Sequence, residues 1–525
     1  MKFLGFSWRT HLAAALTGFL YYASFPGIDL WPLAFVAWIP WLLWLETATP
    51  ALAFRSGLTL GLVVVFFGFY WLLNMLETFS GFPLPLCLLF MFLLSLYQAV
   101  RFGLLGWLYV RARRSLVGPP AGLAFVLAFA ASETAWPMLF PFTFAGSAVP
   151  VPILLQVAEL GGQLLVALTL IGPNWALSRL VLWFVEQRRE KLPLSWATLR
   201  PLRPALVIGF GSLFLSLIYG AIRMPMVDAE VRAAPKIKVG LVQANMGLME
   251  KRTNLEEGKQ RHVSLTKKLR DQGAEFVVWS ETSLAGAISE VDANRFYEQT
   301  LTKQLKVPTL LGAVLSRPVD DARHNIYFNS ALLTDKKGKI RSRYDKHFLL
   351  AFGEYLPFGE KYPELYEISG NSGRFSPGVT LEPLELNNHR IAVIICYEDI
   401  VPGFVKDLMN TNNPELIVNM TNDAWFGDSS EPWEHMALSV FRAVEHRRFF
   451  VRSTNSGISG FVDPNGRILK KTKTFEIAAE SQEVAWLSGR TPFQLLGGVP
   501  DLVLTLGSFL LAFLRRPRRT PEAIP

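Results

Sequence analysis

Three residue types that together can move an acyl group stand at the ends of apolar runs in this 525-residue chain. Cys396 closes Arg390-Ile-Ala-Val-Ile-Ile-Cys396, with Tyr397-Glu398-Asp399 directly after it. Glu281 follows Phe276-Val-Val-Trp-Ser280, and Lys346 follows Arg343-Tyr-Asp345. If these runs are strands, the three side chains can meet at one sheet edge. There a carboxylate takes the thiol proton, while an ammonium favours the thiolate and the oxyanion of a tetrahedral intermediate. Acyl transfer is the chemistry this set serves. Each residue also has a plainer reading: a lone cysteine at a strand end is commonly a small buried apolar residue, and Glu281 with Lys346 reads as a helix cap or an ordinary ion pair. The only other cysteine, Cys87, lies in the apolar run from Leu84 to Leu96, so no disulfide is expected.

With 51% hydrophobic, 13% aromatic and 18% charged residues and a mean hydropathy of +0.28, the composition excludes a soluble enzyme with one core. A bilayer span takes roughly 20 apolar residues. That ruler finds 11–28, 31–46, 51–76, 82–110, 119–140, 153–185 and 204–223, and an eighth at 495–514. The expected organisation is a membrane domain over 1–225 with about seven transmembrane helices, a polar domain over 236–490, a last helix at 495–514 and a basic tail at 515–525. Lys2 and Arg9, Arg111 with Arg113 and Arg114, Arg188 with Arg189 and Lys191, and Arg515, Arg516, Arg518 and Arg519 all fall on one side of that arrangement. With that side cytoplasmic, both termini are cytoplasmic and the polar domain lies across the membrane. The N-terminal run also resembles a cleavable signal peptide, but Trp31 to Leu45 follows after a Pro-Gly turn and better fits a retained helical hairpin. Asn74, Glu77, Glu133 and Glu159 fall near span ends, where snorkelling accounts for them.

The net charge of +9 comes from those loop clusters; no basic stripe interleaved with aromatics suggests nucleic acid. The seven histidines show no metal-ligand spacing, and His435 and His446 sit on an ordinary helix between Pro432 and Arg448, so neither metal nor cofactor is expected.

Within 236–490, short β-branched runs alternate with polar helical stretches. Strands are expected at Ile237 to Gln243, Phe276 to Trp279, Thr309 to Leu315, Tyr327 to Thr334, Lys339 to Tyr344, Arg390 to Cys396 and Glu415 to Met420. Helices are expected at Leu255 to Arg270, Asn294 to Leu305, Pro402 to Met409 and 432–448, with hairpins around Asp463-Pro-Asn-Gly466. This is an α/β domain of sheets covered by helices.

The chain order Glu281, Lys346, Cys396 resembles the nitrilase superfamily, whose α-β-β-α sandwich carries a Glu-Lys-Cys triad. Trp279-Ser-Glu281-Thr, Tyr344-Asp-Lys346, Phe352-Gly-Glu354-Tyr-Leu-Pro357, Ile395-Cys396-Tyr-Glu398 and Asn422-Asp-Ala-Trp-Phe-Gly427 are similar to its membrane branch, the apolipoprotein N-acyltransferases. The resemblance implies a polytopic α-helical membrane domain of about eight transmembrane helices joined to a nitrilase-like sandwich in the periplasm, in the bacterial inner membrane. It also implies a reaction: Cys396 takes an acyl chain from a phospholipid as a thioester and passes it to the α-amine of a diacylglyceryl-cysteine apolipoprotein. Glu281 would act as base and acid, and Lys346 would stabilise the oxyanion. A membrane-tethered amidase with water as acceptor is the alternative, and a monomer is expected.

By the same motifs, Glu354 matches a second glutamate beside the site, or else caps a loop. Tyr397 and Glu398 match positions that support the oxyanion or the incoming amine. Asn329 either orients polar groups of the site or makes an in-strand hydrogen bond. The apolar stretch 348–358 is read as an arm near the lipid surface, or as core packing. Many relatives carry a tryptophan where this chain has Glu250-Lys251-Arg252.

Overall fold

The computed structural model describes residues 7–80, 83–113, 116, 119–247, 254–284, 286–318, 325–351, 353–368 and 373–513. Lys2, Arg114, Glu250-Lys251-Arg252, Phe352 and the tail 515–525 lie outside the described residues.

Two sheets stack in the polar domain. The first runs β13 (Ala478–Ala485), β1 (Lys236–Gln243), β2 (Phe276–Val278), β4 (Thr309–Arg317), β5 (Ile326–Thr334) and β6 (Ile340–Asp345), with β3 (Ala287–Ser289) beside β4. The second runs β12 (Ile468–Lys471), β11 (Gly460–Val462), β10 (Phe450–Thr454), β9 (Leu416–Thr421), β8 (His389–Ile395) and β7 (Leu384–Leu386). Alternation of side chains sorts the first sheet's residues between its faces. Ile237, Val239, Leu241, Phe276 and Val278 join the core that contains Ile391, Val393, Ile417 and Val451 of the second sheet. Val277, Trp279, Leu311 and Leu332 pack instead with Val263, Leu269 and Tyr297, which belong to helices Leu255–Asp271 and Ala293–Thr300. Helices Pro402–Asn410 and Glu431–His446 pack on the second sheet. The result is a helix-sheet-sheet-helix sandwich, stitched across by Ser453 Oγ, which donates to the Val242 and Val278 carbonyls at 3.2 Å each.

Strand direction brings the chemical residues together. β2 is parallel to β4, β4 is antiparallel to β5, and β5 is antiparallel to β6, so β2 and β6 end at the same edge. Glu281 and Lys346 follow those two ends. β8, parallel to β9, ends at Ile395 and hands over to Cys396.

The expected strands and helices of this domain are present within a residue or two, with differences that have local causes. The helix expected at Asn294 to Leu305 stops at Thr300 and continues as a short 3-10 turn. β13 and β10 were not expected: β13 reads Ala-Ala-Glu-Ser-Gln-Glu-Val-Ala with little apolar alternation, and β10 is wholly buried yet carries Arg452.

In the membrane part, four helices among the described residues are long and apolar enough to cross a bilayer: Pro50–Gly68, Leu84–Arg113, Ala158–Arg189 and Trp196–Ala233. Ser7–Ser24, Pro119–Thr134 and Val499–Phe513 are apolar but shorter. The span expected at 31–46 is instead a 3-10 turn, Trp31–Phe35, and a two-turn helix, Ile39–Leu45, each opened by a proline. Trp38 and Trp41 from this broken segment are fully buried and fill the bundle, while Pro32 and Val36 stay exposed. The span expected at 51–76 breaks after Gly68 and resumes at Leu72. Helices Ala158–Arg189 and Arg203–Ala233 cross on small residues: a Cβ on Gly209 would lie 2.6 Å from the Gly172 carbonyl.

Glu159 and Glu133 do not snorkel; both are buried in ion pairs. Glu133 meets Arg101 at 3.4 Å. Glu159 accepts from Arg223 at 2.8 Å and from Arg447 of the polar domain at 2.7 Å, and Arg447 also donates to Gln156 Oε1 and the Pro464 carbonyl, both at 2.8 Å. Arg467 pairs with Asp228 at 2.8 Å on the same face. The two domains are therefore joined by buried charge as well as by a shared apolar core. Arg447→Ala strips a partner from buried Glu159, and is expected to destabilise the protein by about 3 kcal/mol, read as a lower midpoint of thermal unfolding in detergent.

Candidate active site

Cys396 is held in a strained turn. Its φ is +52°, in the left-handed region that non-glycine residues rarely adopt, and it opens a 3-10 turn, Cys396–Ile400, directly off β8. Glu398 holds this turn in place. Fully buried, it accepts at Oε2 from the Ile395 N–H at 2.7 Å and the Tyr344 hydroxyl at 2.8 Å. At Oε1 it accepts from the N–H groups of His347 and Phe348 at 2.6 and 3.1 Å. One carboxylate thus ties the cysteine turn to the segment that carries Lys346. Glu398 is fully buried, and its four hydrogen bonds run to Tyr344 and to backbone on either side of the site.

Lys346 is 2% exposed, and its backbone N–H donates to the Asn329 carbonyl at 2.9 Å. Its Nζ lies 3.2 Å from Glu281 Oε1 and 2.9 Å from Glu354 Oε2. Asn329 Nδ2 donates to the same two carboxylates, at 2.7 Å to Glu281 and 2.8 Å to Glu354. Glu354 Oε2 also accepts the Leu350 N–H at 2.8 Å, so the stretch expected as an arm is anchored in the site through its own glutamate. Phe358 on that stretch is 74% exposed, whereas Leu350 lines the cleft described below.

Electrostatics separates the roles. Burial alone would discharge Lys346, but the Glu281 and Glu354 carboxylates outweigh it and hold its pKa well above the ordinary lysine value. The Cys396 thiol is pushed up to about 12, by burial first and then by the Glu281 charge, against the opposing pull of Lys346 and His435. The Cys396 thiol is therefore neutral near pH 7, and the charge of one carboxylate, Glu281, acts on both Lys346 and the thiol.

Glycine makes the turn at Glu281 possible. A Cβ on Gly312 would lie 2.5 Å from the Ser280 carbonyl oxygen and 2.5 Å from the Thr282 nitrogen, so β4 can pass beneath this turn only without a side chain.

Cys396 opens into a cleft between the sandwich and the membrane helices, with about 540 Å³ of empty space including its mouth. Its walls are Phe25, Phe69, Trp71, Phe140 and Phe142 from the membrane part and Tyr397, Phe426 and Leu438 from the catalytic domain. Tyr397 spans the joint, its hydroxyl donating to the Leu139 carbonyl at 2.5 Å.

Sequence reasoning missed a buried charged network behind the thiol. Asp399 accepts from Arg452 at 2.6 Å, Ser439 at 2.6 Å and His435 at 2.8 Å. Asp423, Glu431 and His435 bring one ligand-type atom each within 4.8 Å of one another, although Arg452 also contacts Asp423 at 3.3 Å. Asp399 was visible next to the cysteine motif, and Asp423 lies in Asn422-Asp-Ala-Trp; nothing in the local pattern marked Arg452 or Glu431.

A sandwich with a buried Glu-Lys-Cys set defines a carbon-nitrogen hydrolase domain, and the carbon-nitrogen hydrolase family model matches residues 238–481. The model of the apolipoprotein N-acyltransferase N-terminal domain matches residues 17–176. Apolipoprotein N-acyltransferase from Azotobacter vinelandii is 30% identical, over 99% of this chain and 97% of its own length. That from Geobacter metallireducens is 28% identical, over 98% and 96%. An amidase of the nitrilase superfamily from Nesterenkonia aligns over 48% of this chain and 91% of its own, at 18% identity and a TM-score of 0.34, too distant to argue from. The chain belongs to the apolipoprotein N-acyltransferase family, and it is a membrane protein.

Gly312→Ala is expected to shift the Glu281 turn and lower turnover on the order of 100-fold, with the protein still folded by thermal unfolding. Burial raises Glu398 to about 7 and Glu434 to about 8. From about pH 5 to 8 the folded chain therefore keeps protons that the unfolded chain has lost, and stability falls as pH rises. Unfolding midpoints across that range should decline, with a shallower decline for Glu434→Gln.

Proposed function

We propose that this protein is an apolipoprotein N-acyltransferase, moving an acyl chain from a phospholipid through a Cys396 thioester to the α-amine of a diacylglyceryl-cysteine lipoprotein. The observation that carries this reading is the cleft. Its thiol faces an aromatic, apolar space walled partly by membrane helices, which suits a lipid and which a small soluble amide would not need.

In the first stage Cys396 Sγ attacks the ester carbonyl while Glu281 takes the thiol proton. The oxyanion forms beside Lys346 Nζ, whose charge is already fixed by Glu281 and Glu354 and needs no reorganisation. Collapse returns the proton to the departing glycerol oxygen, and a lysophospholipid leaves. In the second stage the amine nitrogen attacks the thioester, Glu281 takes a proton from it, and the sulfur leaves as thiol. Two half-reactions through one covalent intermediate give ping-pong kinetics. Asn329 positions both glutamates, and Glu398 and Tyr397 hold the cysteine turn against Lys346 and the membrane part. The arm around Leu350 to Phe358 admits acyl chains at the lipid surface.

The basic loop clusters support a bacterial inner-membrane protein with eight spans, both termini cytoplasmic and the catalytic domain periplasmic, working as a monomer. The shorter helices Ser7–Ser24, Ala121–Thr134 and Val499–Phe513 would cross beside the four longer ones, with the broken segment Trp31–Leu45 entering the bilayer as the eighth.

Incubation with phospholipid alone, followed by intact mass spectrometry, is expected to show a gain of one acyl group on the wild type and none on Cys396→Ala. A diacylglyceryl-cysteine peptide should discharge it and become N-acylated. Absence of both adduct and lysophospholipid overturns the thioester route, and discharge by water alone in the presence of peptide favours the amidase-type hydrolase.

A further inference from the structure

The Cys396 cleft holds more acid than its thiol chemistry uses. Glu431, Glu434 and His435, all from helix Glu431–His446, line it together. His435 is accounted for, with Nε2 2.8 Å from Asp399 and Nδ1 3.3 Å from Asp423. Arg452 contacts the same two aspartates, so two cations balance two carboxylates.

Glu431 and Glu434 are the surplus. Glu431 Oε1 shares the His435 Nδ1 contact at 3.3 Å, while Oε2, in a residue only 6% exposed, accepts no hydrogen bond among the described residues. Glu434, 5% exposed, is held by neutral groups, Ser430 Oγ at 2.7 Å and Trp71 Nε1 at 3.4 Å. Aromatic rings stand around both: Trp71 meets Phe426 edge-on at 4.9 Å and Phe140 at 5.7 Å. Two acidic side chains in excess of the buried cations, walled by aromatic rings, form an environment that stabilises an organic cation, whose arrival favours their ionised form. A compact metal ion fits less well, because both His435 nitrogens already face carboxylates and the Arg452 guanidinium occupies Asp423.

We propose that Glu431 and Glu434, with the rings of Trp71 and Phe426, form a primary-ammonium site in the Cys396 cleft that binds the α-ammonium of the acceptor and removes its first proton. The inference rests on the acyl-transfer reading. An α-amine arrives mostly as an ammonium near neutral pH, and an ammonium nitrogen has no lone pair with which to attack. The glutamate carboxylate takes one N–H proton, leaving the free amine; its nitrogen then forms the C–N bond as the C–S bond breaks. The second N–H proton passes through Glu281 to the cysteine sulfur, and the first leaves from the glutamate to water. Burial holds Glu434 up to about 8, within the α-ammonium range, so this first transfer is close to balanced. The charged and titratable groups facing the pair are Asp423, His435 and Arg452 from the catalytic domain and Tyr22 from the membrane helices, with Cys396 and Tyr397 lining the same cleft. The same ammonium chemistry is presented by a phosphoethanolamine head group on the donor.

The test compares wild type with Glu431→Gln/Glu434→Gln, resolving the half-reactions. Acyl-enzyme formation is followed by intact mass with phosphatidylglycerol or phosphatidylethanolamine, and discharge with a diacylglyceryl-cysteine peptide from pH 6 to 9. The expected result is discharge slowed about 100-fold more than acylation at pH 7, with the deficit shrinking as the pH passes the amine's own pKa. A selective loss of acylation from phosphatidylethanolamine, with discharge spared, also supports the ammonium site and assigns it to the head group. Parallel losses in both stages with both lipids, independent of pH, or no loss in either, overturn it. In a Cys396→Ala background, tryptophan fluorescence should report tighter binding of the peptide than of its N-acetylated form, or of phosphatidylethanolamine than of phosphatidylglycerol. That difference should vanish in the glutamine variants. This arm reads the site even if wild type forms no acyl-enzyme, an outcome that would count against the acyl-transfer reading alone.

Discussion

A lysine with 2% of its surface exposed is stable as a cation only if carboxylates surround it, and the catalytic half of this molecule is arranged around that requirement. Glu281 comes from the end of β2, Lys346 from the end of β6, and Glu354 from the loop beyond it. Asn329 on β5 donates to both carboxylates and keeps them apart. The strand order is what makes these four meet. The clamp also decides which protonation states the resting site holds: a charged lysine and a neutral thiol.

A second carboxylate couples this clamp to the nucleophile. Glu398 joins the cysteine turn of one sheet to the Lys346 segment of the other by four hydrogen bonds. In a low-dielectric interior, leaving any of those donors unmet costs on the order of 1–3 kcal/mol, so the positions of Cys396 and Lys346 are held jointly. The positive φ at Cys396 is tolerated because this network and the Asn419 bond to its carbonyl over-determine the turn.

The membrane helices complete the site as well as anchoring it. Most of the aromatic wall of the cleft comes from before residue 150, and Trp71 reaches into the catalytic domain to contact Glu434. Buried pairs such as Arg447 with Glu159 keep that wall in register with the sandwich. An enzyme acting on lipid gains from this construction, because its apolar substrate meets the thiol at the joint between the bilayer part and the chemistry.

Much of this was legible in the chain, and for a physical reason: apolar runs with period two or of bilayer length declare strands and spans locally, and the ends of three such runs carried Glu281, Lys346 and Cys396. The edge strand β13, the buried Arg452 on β10 and the broken segment around Trp38 and Trp41 were not legible, because their burial comes from distant neighbours and leaves no local period. The roles of Asn329 and Glu398 belong to the same class. The sequence marked them as polar residues beside a motif, and only the packing of two sheets made one a bridge between glutamates and the other a tie between loops. Charge balance likewise depends on which groups are brought within a few ångströms of one another. The chain therefore determined its elements and its reactive residues, while tertiary structure decided which carboxylates are neutralised, which stay in surplus, and what the cleft around the thiol can hold.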